Sequence, residues 1–218
     1  MKKSVNKIKF GYFALAAVFL WNPMMATIDI LPDFIGYLLI CSALSALSEI
    51  NDHFAEALTS FRRLMYVSVV KFALSSFMVF KNYSSEGTFT LLYLFVSAVL
   101  TLIFAMPALL SLKKGLQYLP MYAKTRIIDR PIVKGSRSTK NDAIYIITAV
   151  FAVAHSVITV FPEFFSLFKK DEYGNLNYEM LTAHSFLRGI AFYLVLALGI
   201  IWLAVICIYF IRISRDTI

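Results

Sequence analysis

Six long apolar runs, separated by short polar segments, constrain this chain more than any other feature of its sequence. They cover approximately residues 10–28, 34–50, 64–80, 88–112, 143–161 and 186–211. Each run is near the ~20 residues with which a helix crosses ~30 Å of hydrocarbon. Because lipid offers no hydrogen-bond partner to the backbone, such runs form helices. We therefore predict an all-α fold, an integral membrane bundle of about six transmembrane helices in a single domain of residues 1–218.

The few charged residues support this prediction. They make up 16% of the chain, against about 25% in a typical soluble domain, and the deficit lies in the apolar runs. The two cysteines, Cys41 and Cys207, fall in predicted spans at different depths, so we expect no disulfide. The first run follows several lysines, as in a signal peptide, but no small-residue cleavage site follows it, and we expect a retained helix.

The placement of basic residues predicts the orientation. Of the 21 Lys and Arg residues, 16 lie in residues 1–9, 62–63, 113–142 and 212–215, which the six spans place on one side. Only four, Lys81, Lys169, Lys170 and Arg188, lie on the other side, and Lys71 lies within a span. Positive residues favour the cytoplasmic side. Both termini are therefore predicted to be cytoplasmic.

Residues 27–40 (TIDILPDFIGYLLI) hold Asp29, Pro32 and Asp33 between two apolar runs and contain the outer turn of a predicted transmembrane hairpin. Pro32 suits the first turn of a new helix, where its missing N–H is not needed. Asp33 suits the positive end of that helix dipole. Residues 30–34 and 160–164 share the order apolar, Pro, acid, Phe. That similarity indicates either an internal repeat or the same local capping chemistry.

Two polar segments on the cytoplasmic side have different characters. Residues 51–63 form either a short interfacial helix, with Phe54, Leu58 and Phe61 on one face, or an extension of the second span. Residues 113–142 are predicted to be a basic loop that contacts anionic lipids of the inner leaflet. Such a loop is more often a topology signal than a nucleic-acid site, so we expect no nucleic-acid partner.

Ionisable residues at membrane depth are candidates for function. Thr148, Ala152 and Ser156 are spaced four residues apart on a face that allows close helix approach. His155 neighbours this face and should point into the bundle, either as a proton-linked or ligand-binding group or as a structural histidine. Lys71 needs a carboxylate such as Glu49, a wet cavity, or a route to the interface.

A second group of candidates should lie at the outer level. It consists of Asp29, Asp33, Glu163, His184 and Arg188. With His155 these residues would form an outward-facing polar cluster for a cation, an amine or a proton-coupled substrate. The alternative is a set of separate interfacial residues that face water or head groups.

Motifs of catalysis and cofactor binding are absent from the sequence. It has no P-loop, dinucleotide-binding glycine motif, H-E-x-x-H or G-x-S-x-G, so we predict no catalytic residues, cofactor or metal. Ser156 and His155 do not form a catalytic pair, because adjacent helical residues point in different directions.

The run LPDFIGYLLI, residues 31–40, with Asp29 before it, resembles the N-terminal signature of small uncharacterised polytopic membrane proteins of Gram-positive bacteria. The resemblance covers residues 28–47 and implies a multi-pass protein of the bacterial plasma membrane. Six spans with a basic inner side are also similar in outline to substrate-binding subunits of vitamin-uptake transporters, a likeness of fold only.

The favoured function is a small-solute or ion carrier, or its membrane substrate-binding subunit. The alternative is a non-catalytic accessory protein that assembles with membrane partners or with copies of itself. An enzyme that acts on lipid ranks third.

Overall fold

A computed structural model of the chain describes residues 10–21, 32–49, 51–81, 87–125, 136–168 and 177–216. Six helices and no strand occur in these residues. The helices are α1 (Phe10–Trp21), α2 (Asp33–Leu47), α3 (Asp52–Phe80), α4 (Gly87–Thr125), α5 (Ser136–Ser166) and α6 (Tyr178–Asp216). The all-α prediction is confirmed.

Four of the helices contain segments that are long and apolar enough to cross a membrane. These segments are Asp52–Phe80, Thr88–Gln117, Asn141–Ser166 and Tyr178–Ile213. The other two helices are apolar but shorter, with 12 residues in α1 and 15 in α2. Residues 22–28, which complete the first predicted span, lie outside the described part of the chain. Six crossing segments therefore stay a prediction.

The start of α2 follows from the chemistry of its first residues. Pro32 precedes the helix in an extended conformation, with φ −61° and ψ 117°, and Asp33 is the first helical residue. Proline fixes φ near this value, and Pro32 lies at the cap position directly before the first turn rather than within it. Asp33 lies at the positive end of the helix dipole, as expected.

Residues 51–63 are neither a separate interfacial helix nor an extension of the second span, and both predictions are wrong. These residues cap and begin α3, which continues to Phe80. The Asn51 side chain caps this helix by accepting a hydrogen bond of 2.9 Å from the His53 N–H. Phe54, Leu58 and Phe61 are buried in the bundle. Their apolar face therefore packs against other helices rather than on a membrane surface.

Pro162 lies inside α5, which continues to Ser166. Pro32 precedes α2 and Asp33 begins it, whereas the similar pair Pro162 and Glu163 lies near the end of α5. Capping at a helix start cannot explain Glu163, and the two similar five-residue segments occupy different structural positions. In addition, α4 extends to Thr125 and α5 starts at Ser136, so helical turns enter the predicted loop 113–142 from both ends.

The six helices form a closed ring in chain order. Each helix packs against the preceding and following ones, and α6 returns to pack against α1; within the described residues, no other pair of helices brings Cα atoms within 8 Å of each other. Phe13 of α1 stacks on Phe210 of α6, with ring centroids 4.7 Å apart, where the ring closes. We call the end with the α2–α3 turn the inner end, and the end where α2 begins the outer end.

The outside of the ring is apolar. On α4, large exposed apolar side chains extend from Phe89 to Leu110, which is about 31 Å at 1.5 Å per helical residue. This height is close to the ~30 Å hydrocarbon thickness of a bilayer. Similar exposed side chains occur on α3, α5 and α6. The exterior therefore suits contact with lipid.

Candidate functional site

A central cavity of about 190 Å³ lies inside the ring and is lined by residues of all six helices. Along α5 the lining extends from Asn141 to Val160, and along α4 from Leu94 to Leu116. On α5 this is about 28 Å of helix. The cavity exists because helices on opposite sides of the ring do not meet.

Lys71 and Asp33 form an ion pair in the outer half of this cavity. The Lys71 Nζ lies 3.0 Å from Asp33 Oδ2, and each side chain is 13% exposed. Lys71 precedes the outer end of α3, at Phe80, by nine residues, or about 13 Å. The suggested partner Glu49 is wrong, because Asp33 supplies the carboxylate that an intramembrane lysine requires.

Tyr93 fixes α4 beside the same pair. Its hydroxyl donates a hydrogen bond of 3.1 Å to the backbone carbonyl of Lys71. The ion pair and this hydrogen bond join α2, α3 and α4 at one level of the bundle. The backbone that carries Lys71 is therefore tied to α4, while the ion pair ties α3 to α2.

His155 lines the same cavity, which agrees with the prediction that it points into the bundle. Its ring centroid lies 5.8 Å from that of Phe151. Phe151 stacks on Trp202 of α6, with centroids 4.5 Å apart and an interplanar angle of 7°. The imidazole thus belongs to an aromatic group that joins α5 to α6.

The face of small residues on α5 also lines the cavity. Thr148, Ala152 and Ser156 all contribute to the wall, and the Trp202 Nε1–H donates to Thr148 Oγ1 at 3.3 Å. Ser156 donates to the Ala152 carbonyl at 2.9 Å and Thr159 donates to the His155 carbonyl at 2.7 Å. These small side chains leave space inside the ring, and two of the hydroxyl donors are used within their own helix.

Glu163, His184 and Arg188 form a second cluster, which we call the outer triad. His184 Nε2 lies 3.3 Å from Glu163 Oε2, and Arg188 Nε lies 3.6 Å from Glu163 Oε1. Glu163 and His184 are buried, whereas the Arg188 side chain is 40% exposed. The triad connects the outer ends of α5 and α6 and lines an outer pocket, which shares Leu94 and Thr159 with the central cavity.

The candidates for one outer cluster thus occupy two places. Asp33 lines the central cavity together with Lys71 and His155, while Glu163, His184 and Arg188 form the outer triad. Asp29 lies outside the described residues.

A polar group at the inner end was not predicted from the sequence. We call it the inner mouth, and it consists of Lys113, Asn141, Asp142 and Tyr145. Lys113 Nζ lies 2.7 Å from Asp142 Oδ1 and 5.0 Å from the centre of the Tyr145 ring. The Tyr209 hydroxyl donates to Asn141 Oδ1. The sequence feature that could have predicted this group is a helical spacing. Asn141, Tyr145 and Thr148 are four and three residues apart, so they continue the helix face on which His155 lies.

No protein-family model, curated protein or solved structure matches this chain. In the described part of the chain, no group of three or more His, Cys, Asp or Glu side chains is arranged to hold a metal ion. The central cavity and its Asp33–Lys71 pair are therefore the features from which a function can be inferred.

Proposed function

We propose that this chain is a six-span protein of the bacterial plasma membrane that binds a small solute or ion in its central cavity. It would act as a carrier or as the membrane substrate-binding subunit of one. The observation that carries this proposal is the closed ring of helices around a cavity that contains a paired Asp33 and Lys71. Ionisable groups at this depth are costly and commonly mark substrate or ion pathways.

Transport requires groups that can exchange partners with a ligand. The Asp33–Lys71 pair of α2 and α3 and His155 of α5 provide an anion, a cation and an imidazole that line the same cavity from different helices. The outer triad provides a further set of charges in a pocket that shares two residues with the cavity. A solute would pass from the outer pocket towards the central cavity, and Leu94 and Thr159 would separate the two compartments.

The proposal is tested by the thermal stability of the purified protein with a panel of ions, vitamins and amines. A ligand at 100 times its dissociation constant stabilises the fold by about 2.7 kcal/mol. Ala152→Leu adds bulk to the cavity wall and should abolish the shift. Val153→Leu is the matched control, because Val153 is 45% exposed on the outside of the same helix.

The accessory-protein alternative predicts a different result. It would give no ligand-dependent shift, and the Ala152→Leu and Val153→Leu proteins would behave alike. The α5 face that suggested helix assembly lines the cavity, so it is not available to a partner helix. A flat response to the panel, together with no saturable binding of any other ligand in the cavity, would overturn the carrier proposal in favour of the accessory role.

A further inference from the structure

The central cavity is long and narrow. Its volume of about 190 Å³ is distributed over about 28 Å of α5. A compact solute would occupy only one level of this length. The shape suits an extended occupant instead.

The wall between the two charged levels is mainly apolar. On α5, the section from Tyr145 to His155 separates the inner mouth from the level of the histidine. The other helices contribute apolar side chains to the lining of the same cavity, among them Ala17, Leu64, Ala105, Leu109 and Ile206. This surface favours a hydrocarbon chain, because apolar contact is gained without leaving polar groups unpaired.

The length of this section matches one acyl chain. Ten residues of α5 from Tyr145 to His155 span about 15 Å. A bilayer places two chains end to end across ~30 Å of hydrocarbon, so one chain also reaches about 15 Å. A chain whose head group lies at the inner mouth would therefore end near His155 and the Asp33–Lys71 pair.

The inner mouth offers a cation for a head group. The Lys113 side chain is 23% exposed and that of its partner Asp142 is 41% exposed. Both values exceed the 13% of Asp33 and Lys71. Exposed ion pairs are weak, so an anionic head group can displace Asp142 from Lys113 more readily than it can open the buried pair.

We propose that the central cavity binds a single-chain amphiphile with an anionic head group. The head contacts Lys113 at the inner mouth, and the chain occupies the apolar section towards Asp33 and Lys71. This inference rests on the proposed function, because it identifies the chemical class of the ligand that the cavity takes.

Trp202 provides a direct measurement of such binding. It lines the cavity and is only 6% exposed, so bromine dissolved in the surrounding lipid quenches it poorly. The protein is reconstituted in phosphatidylcholine nanodiscs and titrated with a fatty acid brominated at mid-chain. We expect saturable quenching of tryptophan fluorescence, which Trp202→Phe should remove.

Two further variants test the site. Ala152→Leu should abolish the saturable quenching, and Val153→Leu on the outer face should retain it. Lys113→Gln should weaken binding of the brominated acid about tenfold, as expected for loss of one charge-assisted contact. It should leave binding of a brominated alcohol of the same chain length unchanged.

The outcomes separate this inference from the proposed function. Quenching that rises linearly with probe, equally in the parent and in Ala152→Leu, would overturn the amphiphile. Equal binding of acid and alcohol, insensitive to Lys113→Gln, would overturn the anionic head group. If an ion, vitamin or amine stabilises the protein through the cavity while quenching stays linear, the proposed function stands and this inference fails. If neither occurs, both fail.

Discussion

At the scale of single residues, Lys71 and Asp33 matter most because each makes the other acceptable inside an apolar ring. Their side chains are 13% exposed and 3.0 Å apart. A lone charge at this depth would require water or a large change in protonation. The pair therefore supports the fold as well as the proposed chemistry of the cavity.

Removing one charge of the Asp33–Lys71 pair should lower the free energy of unfolding more than removing both charges. Asp33→Asn or Lys71→Met alone should lower the free energy of unfolding by about 3 kcal/mol, because each leaves a buried charge unpaired. The double variant should recover most of this loss, which thermal unfolding of the purified proteins measures. Additive losses in the double variant would show that the two charges do not interact.

The sequence singles out Asp33 and Lys71 separately, because ionisable residues stand out in apolar runs. Their pairing could not be predicted, since they lie 38 positions apart and the contact depends on which faces of α2 and α3 meet. Lys113 and Asp142 were missed for another reason. Both flank a basic segment that is typical of a cytoplasmic loop, although the helices extend into it.

At the scale of helices, the contact between α1 and α6 depends on a glycine. A Cβ atom on Gly199 would overlap the Trp21 indole at Nε1, whereas a Cβ on Gly189 of the same helix would meet nothing within 4 Å. Gly199 thus allows the indole of α1 to pack directly on the backbone of α6. Gly189 offers a matched control on the same helix.

Gly199→Ala should therefore lower the free energy of unfolding by about 1–3 kcal/mol through overpacking. Gly189→Ala should leave it unchanged or raise it by up to about 1 kcal/mol, because alanine has the higher helix propensity. Thermal unfolding of the two proteins gives the comparison. Equal midpoints would mean that Trp21 does not pack on Gly199.

The existence of the helices could be predicted better than their ends. Long apolar runs in lipid permit only helices, so the type and order of the six elements follow from the pattern. The start of α3 could not be predicted, because Asn51 caps a polar stretch whose apolar face is buried only in the assembled bundle. Pro162 similarly marks a helix end by propensity, yet α5 continues past it to Ser166.

At the scale of the whole molecule, the closed ring is the feature that sequence patterns could not predict. Apolar periodicity shows that helices pack, but a ring and a filled bundle need similar patterns. The closing contact joins α1 to α6 from opposite ends of the chain. The central cavity, and every role proposed for it, depends on this closure.

Disulfide cross-linking tests the ring directly. Cys207 Sγ lies 4.0 Å from the Ala14 carbonyl oxygen, so Ala14→Cys should cross-link to Cys207 on oxidation when Cys41 is replaced by Ala. In a background without native cysteines, Ile206→Cys and Leu109→Cys form the control pair. Both positions line the cavity, but α4 and α6 nowhere bring Cα atoms within 8 Å, beyond the reach of a disulfide.

We predict an efficient cross-link for the pair at positions 14 and 207 and none for the pair at positions 109 and 206. A cross-link between positions 109 and 206, without one between 14 and 207, would mean that the helices fill the centre of the bundle. That result would contradict the ring and remove the cavity on which the proposed function rests.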